Sequence, residues 1–72
     1  MSADVYVPLR TFVVTVEFFS GEVRYASEIY TIDAVNWYRA EQAAIALSAD
    51  STYYRPDIPA PSCTAVAQAT DA

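Results

Sequence analysis

The groups that could do chemistry in this 72-residue chain are nine carboxylates, one thiol and six phenols; histidine is absent. General acid–base catalysis near neutral pH needs a group tuned to that range, most often His, or carboxylates paired in a pocket. Here the carboxylates fall singly, at Asp4, Glu17, Glu22, Glu28, Asp33, Glu41, Asp50, Asp57 and Asp71. Cys63 is the only thiol, and no His is present to hold it as thiolate. It reads first as a small buried apolar residue, in a chain from a reducing, intracellular setting. Zinc and transition-metal sites lack their usual ligands, and no oxygen-rich calcium loop occurs. A single Gly excludes the glycine-rich loops that cradle nucleotides. The chain is therefore expected to be non-enzymatic, with no catalytic residue, no metal ligand and no cofactor.

What remains is contact chemistry. Apolar residues make up 54% of the chain, too many for an intrinsically disordered segment. Aromatic residues beside polar ones are enriched where proteins meet. Thr11, Val13, Phe19 and Tyr30, with Glu28 among them, are the first candidate patch. Their other reading is packing under the N-terminal segment or the C-terminal strand. Tyr53, Tyr54 and Arg55 form a second candidate, a contact loop or the closure of one end of the core. Nine acidic residues against four arginines give a net charge of −5. The arginines (Arg10, Arg24, Arg39, Arg55) are dispersed, which is a poor footprint for a phosphate backbone. Direct nucleic-acid binding is not expected unless those four converge in space. No apolar run approaches the roughly 18 residues that would span a membrane, and no basic-then-apolar leader opens the sequence. The expected product is soluble.

The elements that must position these groups are read from periodicity. Arg10 to Phe18 alternates with a period of two, Phe12, Val14, Val16 and Phe18 on one side, which predicts a half-buried strand. Pro8 marks its start, and Val5–Val7 would extend it after a bend. Ser20-Gly21 is read as a two-residue hairpin loop. That register sets Phe18 opposite Val23, Val16 opposite Tyr25, Val14 opposite Ser27 and Phe12 opposite Ile29. On the other face it sets Glu17 against Arg24, Thr15 against Ala26, Val13 against Glu28 and Thr11 against Tyr30. Ala34 to Ala49 contains no Gly or Pro and predicts a helix, capped by Asp33 or Thr31. Its apolar stripe is Trp37, Ala40, Ala44 and Leu47, with Trp37 the main anchor and Glu41 inside the apolar arc. Pro56, Pro59 and Pro61 predict a loop over 55–61, and faint alternation over 62–70 predicts a third strand, with a loose tail after it.

The expected architecture is a single α+β domain spanning 1–72, with its core in 9–49. An antiparallel hairpin is followed by one helix packed on the sheet and a C-terminal strand, ββαβ. A domain this short sits near the lower limit for a fold held by its core alone, which leaves self-association or a partner-bound state open.

The stretch TFVVTVEFFSGEVRYASEIYTIDAVNWYRAEQAAIALS, an alternating hairpin followed by an Ala-rich helix, resembles small acidic accessory proteins of tailed bacteriophages. The resemblance covers about half of the chain and carries over no individual residue. It implies a protein that works in the cytoplasm of a bacterial host and inhibits or modulates a host protein. RNA polymerase or an anti-phage nuclease complex would be typical targets. Two other readings stand beside it: a small structural subunit of a virion or other assembly, and a DNA-binding regulator.

Overall fold

In a computed structural model, which describes residues 8–70, the chain forms β1 (Arg10–Ser20), β2 (Val23–Ala34), α1 (Trp37–Ser48) and β3 (Pro61–Ala69). The three strands make one antiparallel sheet in the order β2-β1-β3, so the most apolar strand lies in the middle. The α+β architecture, with a hairpin, then a helix, then a C-terminal strand, is the one expected. Phe12, Val14, Val16 and Phe18 of β1 are all buried beneath the helix, as their alternation demands. At roughly 25 cal/mol per Å², this row is the main source of the fold's stability. Val5–Val7 lies outside the described residues.

The hairpin register differs from the expected one. The two-residue loop is Gly21-Glu22, and Ser20 pairs with Val23. Gly21 takes φ 62°, while Glu22 keeps a negative φ. This matches a type II′ turn, in which Gly occupies the first loop position and the twist suits the flanking strands. A Ser20-Gly21 loop would have put the first positive φ on a serine. A second correction follows at once. The register slips between Phe18 and Phe19, where Tyr25 is the extra residue on β2. Beyond this bulge Phe18 faces Ala26, Val16 faces Glu28, Val14 faces Tyr30 and Phe12 faces Ile32. A shift of odd length turns a strand over. Ala26, Glu28, Tyr30, Ile32 and Ala34 thus lie on the helix side, and Ser27, Ile29, Thr31 and Asp33 on the other. The bulge returns Tyr25 to the core side, where its ring lies 6.3 Å from Phe18. Arg24 still meets Glu17, at 2.7 Å, as a diagonal rather than a directly opposed pair.

The helix begins later than its composition suggests, because β2 continues through Ala34. Asn36, not Asp33 or Thr31, is the cap: its Oδ1 accepts from the Arg39 amide at 2.8 Å. Asp33 is instead a strand residue accepting from the Thr11 hydroxyl at 2.7 Å. Ala40 and Ala44 are fully buried, whereas Trp37 is 58% exposed and Leu47 is also exposed. The expected anchor is therefore absent from the core. Trp37 sits in the first helical turn, at the end of the element, and packs edge-on against Tyr38. Close approach comes from small side chains on both partners, Ala40 and Ala44 above and Cys63, Ala65 and Ala67 of β3 below. The helix consequently packs more over β3 than over β2.

The proline-rich loop is tied to the hairpin end. The Gly21 amide donates to the Ala60 carbonyl at 2.9 Å, and the Ser20 hydroxyl to the Pro59 carbonyl at 2.7 Å. These bonds hold Ala60 at φ 47°, a left-handed conformation costing a residue with a Cβ about 1–2 kcal/mol. The segment after β3 is also less loose than expected. Thr70 donates to the Thr11 carbonyl through both its amide and its hydroxyl.

Candidate functional site

The expected contact residues separate into three places. Thr11, Val13 and Phe19 stay together on the sheet face turned away from the helix. Glu28 and Tyr30 do not join them, because the turned-over β2 carries both to the helix side. The expected Val13–Glu28–Tyr30 patch is thereby split. Tyr53, Tyr54 and Arg55 lie in the loop between α1 and β3.

Glu28 and Tyr30 form a clamp on that loop. The Tyr30 hydroxyl donates to Glu28 Oε1 at 2.8 Å, and the Ser51 hydroxyl donates to the same oxygen at 2.6 Å. Ser51 in turn accepts from the Tyr53 amide at 3.1 Å. Nearby, the Tyr25 hydroxyl donates to the Tyr53 carbonyl at 2.7 Å. The two donors hold the Glu28 carboxyl below its ordinary range, Ser51 contributing most. Partial burial, and then the Glu28 carboxylate beside it, push the Tyr30 phenol up. Both shifts favour the same state, an ionised carboxylate gripped by a neutral phenol. The clamp positions the loop, and the Asp50 carboxylate adds a smaller upward push on the Tyr30 phenol.

Beneath the loop lies a cavity of about 120 Å³, lined by Phe18, Tyr25, Tyr54, Arg55, Pro56, Pro61, Ser62 and Cys63. Sites for small organic ligands start near ~300 Å³, so this space is suited to a side chain at most. Arg55 is turned toward Asp57, at 3.5 Å, on an exposed surface. Cys63 lines the cavity half-buried, in keeping with a small packing residue.

Among the described residues, the sheet face turned away from the helix is open. It carries Thr11, Val13, Thr15, Glu17 and Phe19 from β1, Ser27, Ile29, Thr31 and Asp33 from β2, and Ser62, Thr64, Val66 and Gln68 from β3. The registers align Ile29, Thr15 and Val66 in one row across all three strands. Ile29 is 66% exposed and Val66 58%. Val13 lies in the next row, so β-branched side chains form a band bordered by Thr, Ser and Gln hydroxyls and amides. Glu17, Arg24 and Asp33 lie toward the ends, already paired. Ile29 reaches this face through the bulge: a Gly21-Glu22 loop alone moves the register by two residues and leaves Ile29 opposite the core row, and the extra residue at Tyr25 then turns the strand over.

Among the described residues no group of three or more Cys, Asp or Glu side chains could hold a metal ion. No helix is long and apolar enough to cross a membrane. Comparison of the chain with protein-family models, with curated proteins and with solved structures finds no match.

Proposed function

We propose that this protein is a non-enzymatic binding module that docks another protein through the open face of its sheet. The observation that supports this reading is the row Ile29–Thr15–Val66, an apolar band with exposed ends and a polar border that no described helix or loop covers. Such a face loses water favourably against a complementary surface, while the hydroxyl border supplies hydrogen bonds at the rim. A net charge of −5 steers the module toward a basic partner and speeds encounter at low salt. The resemblance to phage accessory proteins adds the kind of partner, a host protein that the module inhibits or modulates. RNA polymerase and anti-phage nuclease complexes are the first to test.

The DNA-binding alternative is disfavoured by the placement of the arginines. Arg10 and Arg24 lie at opposite ends of the hairpin, about 30 Å apart along the strands. Arg24 and Arg55 are each engaged by a carboxylate. The structural-subunit alternative draws on the edge of β2, which no described residue occupies.

The test is capture from bacterial lysate on immobilised protein, wild type against Val66→Arg and Thr15→Arg. Folding of each variant is checked by far-UV circular dichroism. A partner retained by wild type and lost by both folded variants supports docking through this face. A partner retained equally by all three contradicts it.

A further inference from the structure

We infer that two copies of this chain pair through the edge of β2 that no described residue occupies, producing a continuous six-stranded sheet in the order β3-β1-β2-β2′-β1′-β3′. This goes beyond the proposed docking face, since it uses the strand's edge rather than the open surface.

Backbone geometry identifies the outward groups. Thr70 donates to Thr11 O, so the odd residues of β1 direct their amides and carbonyls toward β3. The even residues then bond to β2, and Ser27, Ile29, Thr31 and Asp33 point their backbone groups outward. Among the described residues none of these groups receives a partner. Natural edges are blunted by proline, lysine, bulges or a covering element. From Ala26 to Ala34 β2 has no Pro, Lys or Gly, and its bulge at Tyr25 lies before this run. Its two charges are drawn aside, Glu28 into the clamp and Asp33 onto Thr11.

A second copy fits this edge because a two-fold at Tyr30 sets complementary residues opposite one another. An antiparallel two-fold there pairs Ala26–Ala34 with its copy and leaves Val23–Tyr25, the bulged end, outside the pairing. It places outward residues opposite outward residues, Ser27 with Asp33′ and Ile29 with Thr31′, so each N–H meets a C=O. No like charges are apposed, and the Ser27 hydroxyl comes within reach of the Asp33′ carboxylate. On the helix side, Tyr30 meets Tyr30′ and Glu28 meets Ile32′. Tyr30 and Ile32 are only half-buried within one chain, because the helix leans toward β3. The second copy would cover what that tilt leaves open.

Solution mass by size-exclusion chromatography with light scattering is the test, on wild type, Thr31→Pro and Val66→Lys. Proline is tolerated on an edge where its nitrogen faces outward, and Tyr30 before it is already extended. Thr31→Pro removes one outward donor from each copy and fills the gap between the strands. The expected result is a two-chain mass for wild type and Val66→Lys, halved in Thr31→Pro, with far-UV circular dichroism unchanged. Added salt should tighten the dimer by screening two acidic copies, whereas it should weaken docking of a basic partner. A one-chain mass for wild type at millimolar concentration overturns the pairing. So does a Val66→Lys mass reduced as much as that of Thr31→Pro, which would put self-contact on the open face. Loss of lysate capture in Val66→Arg with the dimer intact separates the two surfaces.

Discussion

The two edges of this sheet face the same hazard and are treated differently. β3 opens on Pro61, spans only Pro61–Ala69, and has small side chains under the helix. Its outward amide at Ala67 is taken by Glu41 of the helix, Oε2 accepting at 3.0 Å. β2 is longer, free of proline over Val23–Ala34, and has no such cap among the described residues. The cause is the tilt of the helix, which the alanines on α1 and β3 permit and the larger Tyr30 and Ile32 on β2 oppose. A carboxylate in the apolar arc of the helix is thus explained as an edge guard. The chain itself guards one edge at Ala67, and among the described residues nothing guards the other.

Removing Phe18 should disturb both edges alike. It is fully buried, with Tyr25 from β2 and Tyr53 from the loop within about 6 Å, so Phe18→Ala should cost ~3–5 kcal/mol. For a chain this short that is a large share of the total, and urea unfolding should show its midpoint falling steeply. Ala44→Leu pushes the helix off β3 and should cost ~1–3 kcal/mol by overpacking. Exchange of amides on β3 should quicken more than on β2. Glu41→Ala strikes the guard alone. It should cost ~1–2 kcal/mol and speed exchange of the Ala67 amide while leaving the β2 amides unchanged.

The clamp gives a pH dependence on the β2 side. Glu28 is lowered in the folded state, so its contribution is complete above the ordinary Glu value of ~4.3. That contribution is lost as pH falls from there through the lowered value. Tyr30 is raised, so its contribution is complete below the ordinary Tyr value of ~10 and is lost as pH rises toward the raised value. Melting temperatures of wild type should therefore decline at both extremes, and Glu28→Gln should flatten the acid limb. An acid limb identical in the two proteins would remove Glu28 from the account. The smallest effect is expected at Ala60, where glycine relieves the left-handed strain but frees the unfolded chain, for a net gain of ~0.5 kcal/mol by urea unfolding.

Much of the architecture was legible because β1 alternates so strictly: Phe12, Val14, Val16 and Phe18 could have only one buried side. The helix and third strand were legible from composition and faint alternation. The register of β2 was not, because its two faces are nearly equal in apolar content. Tyr25 and Ile29 on one set compete with Tyr30 and Ile32 on the other. A bulge at Tyr25 that no local signal marks decides which set is buried. The candidate patch is divided for the same reason. Those on β1 kept their face, while Glu28 and Tyr30 on β2 exchanged theirs with Ser27 and Ile29. Trp37 was misjudged because a helical stripe gives direction but not where the element ends relative to the sheet.

The inequality of the two edges is tested most directly by amide hydrogen exchange, residue by residue, at two protein concentrations differing a hundredfold. The amides of Ser27, Ile29, Thr31 and Asp33 should gain protection with concentration, while the outward amides of Cys63 and Ala65 exchange quickly at both. Equal, concentration-independent exchange on β2 and β3 would contradict the account, because it would leave the β2 edge as unoccupied as its neighbour.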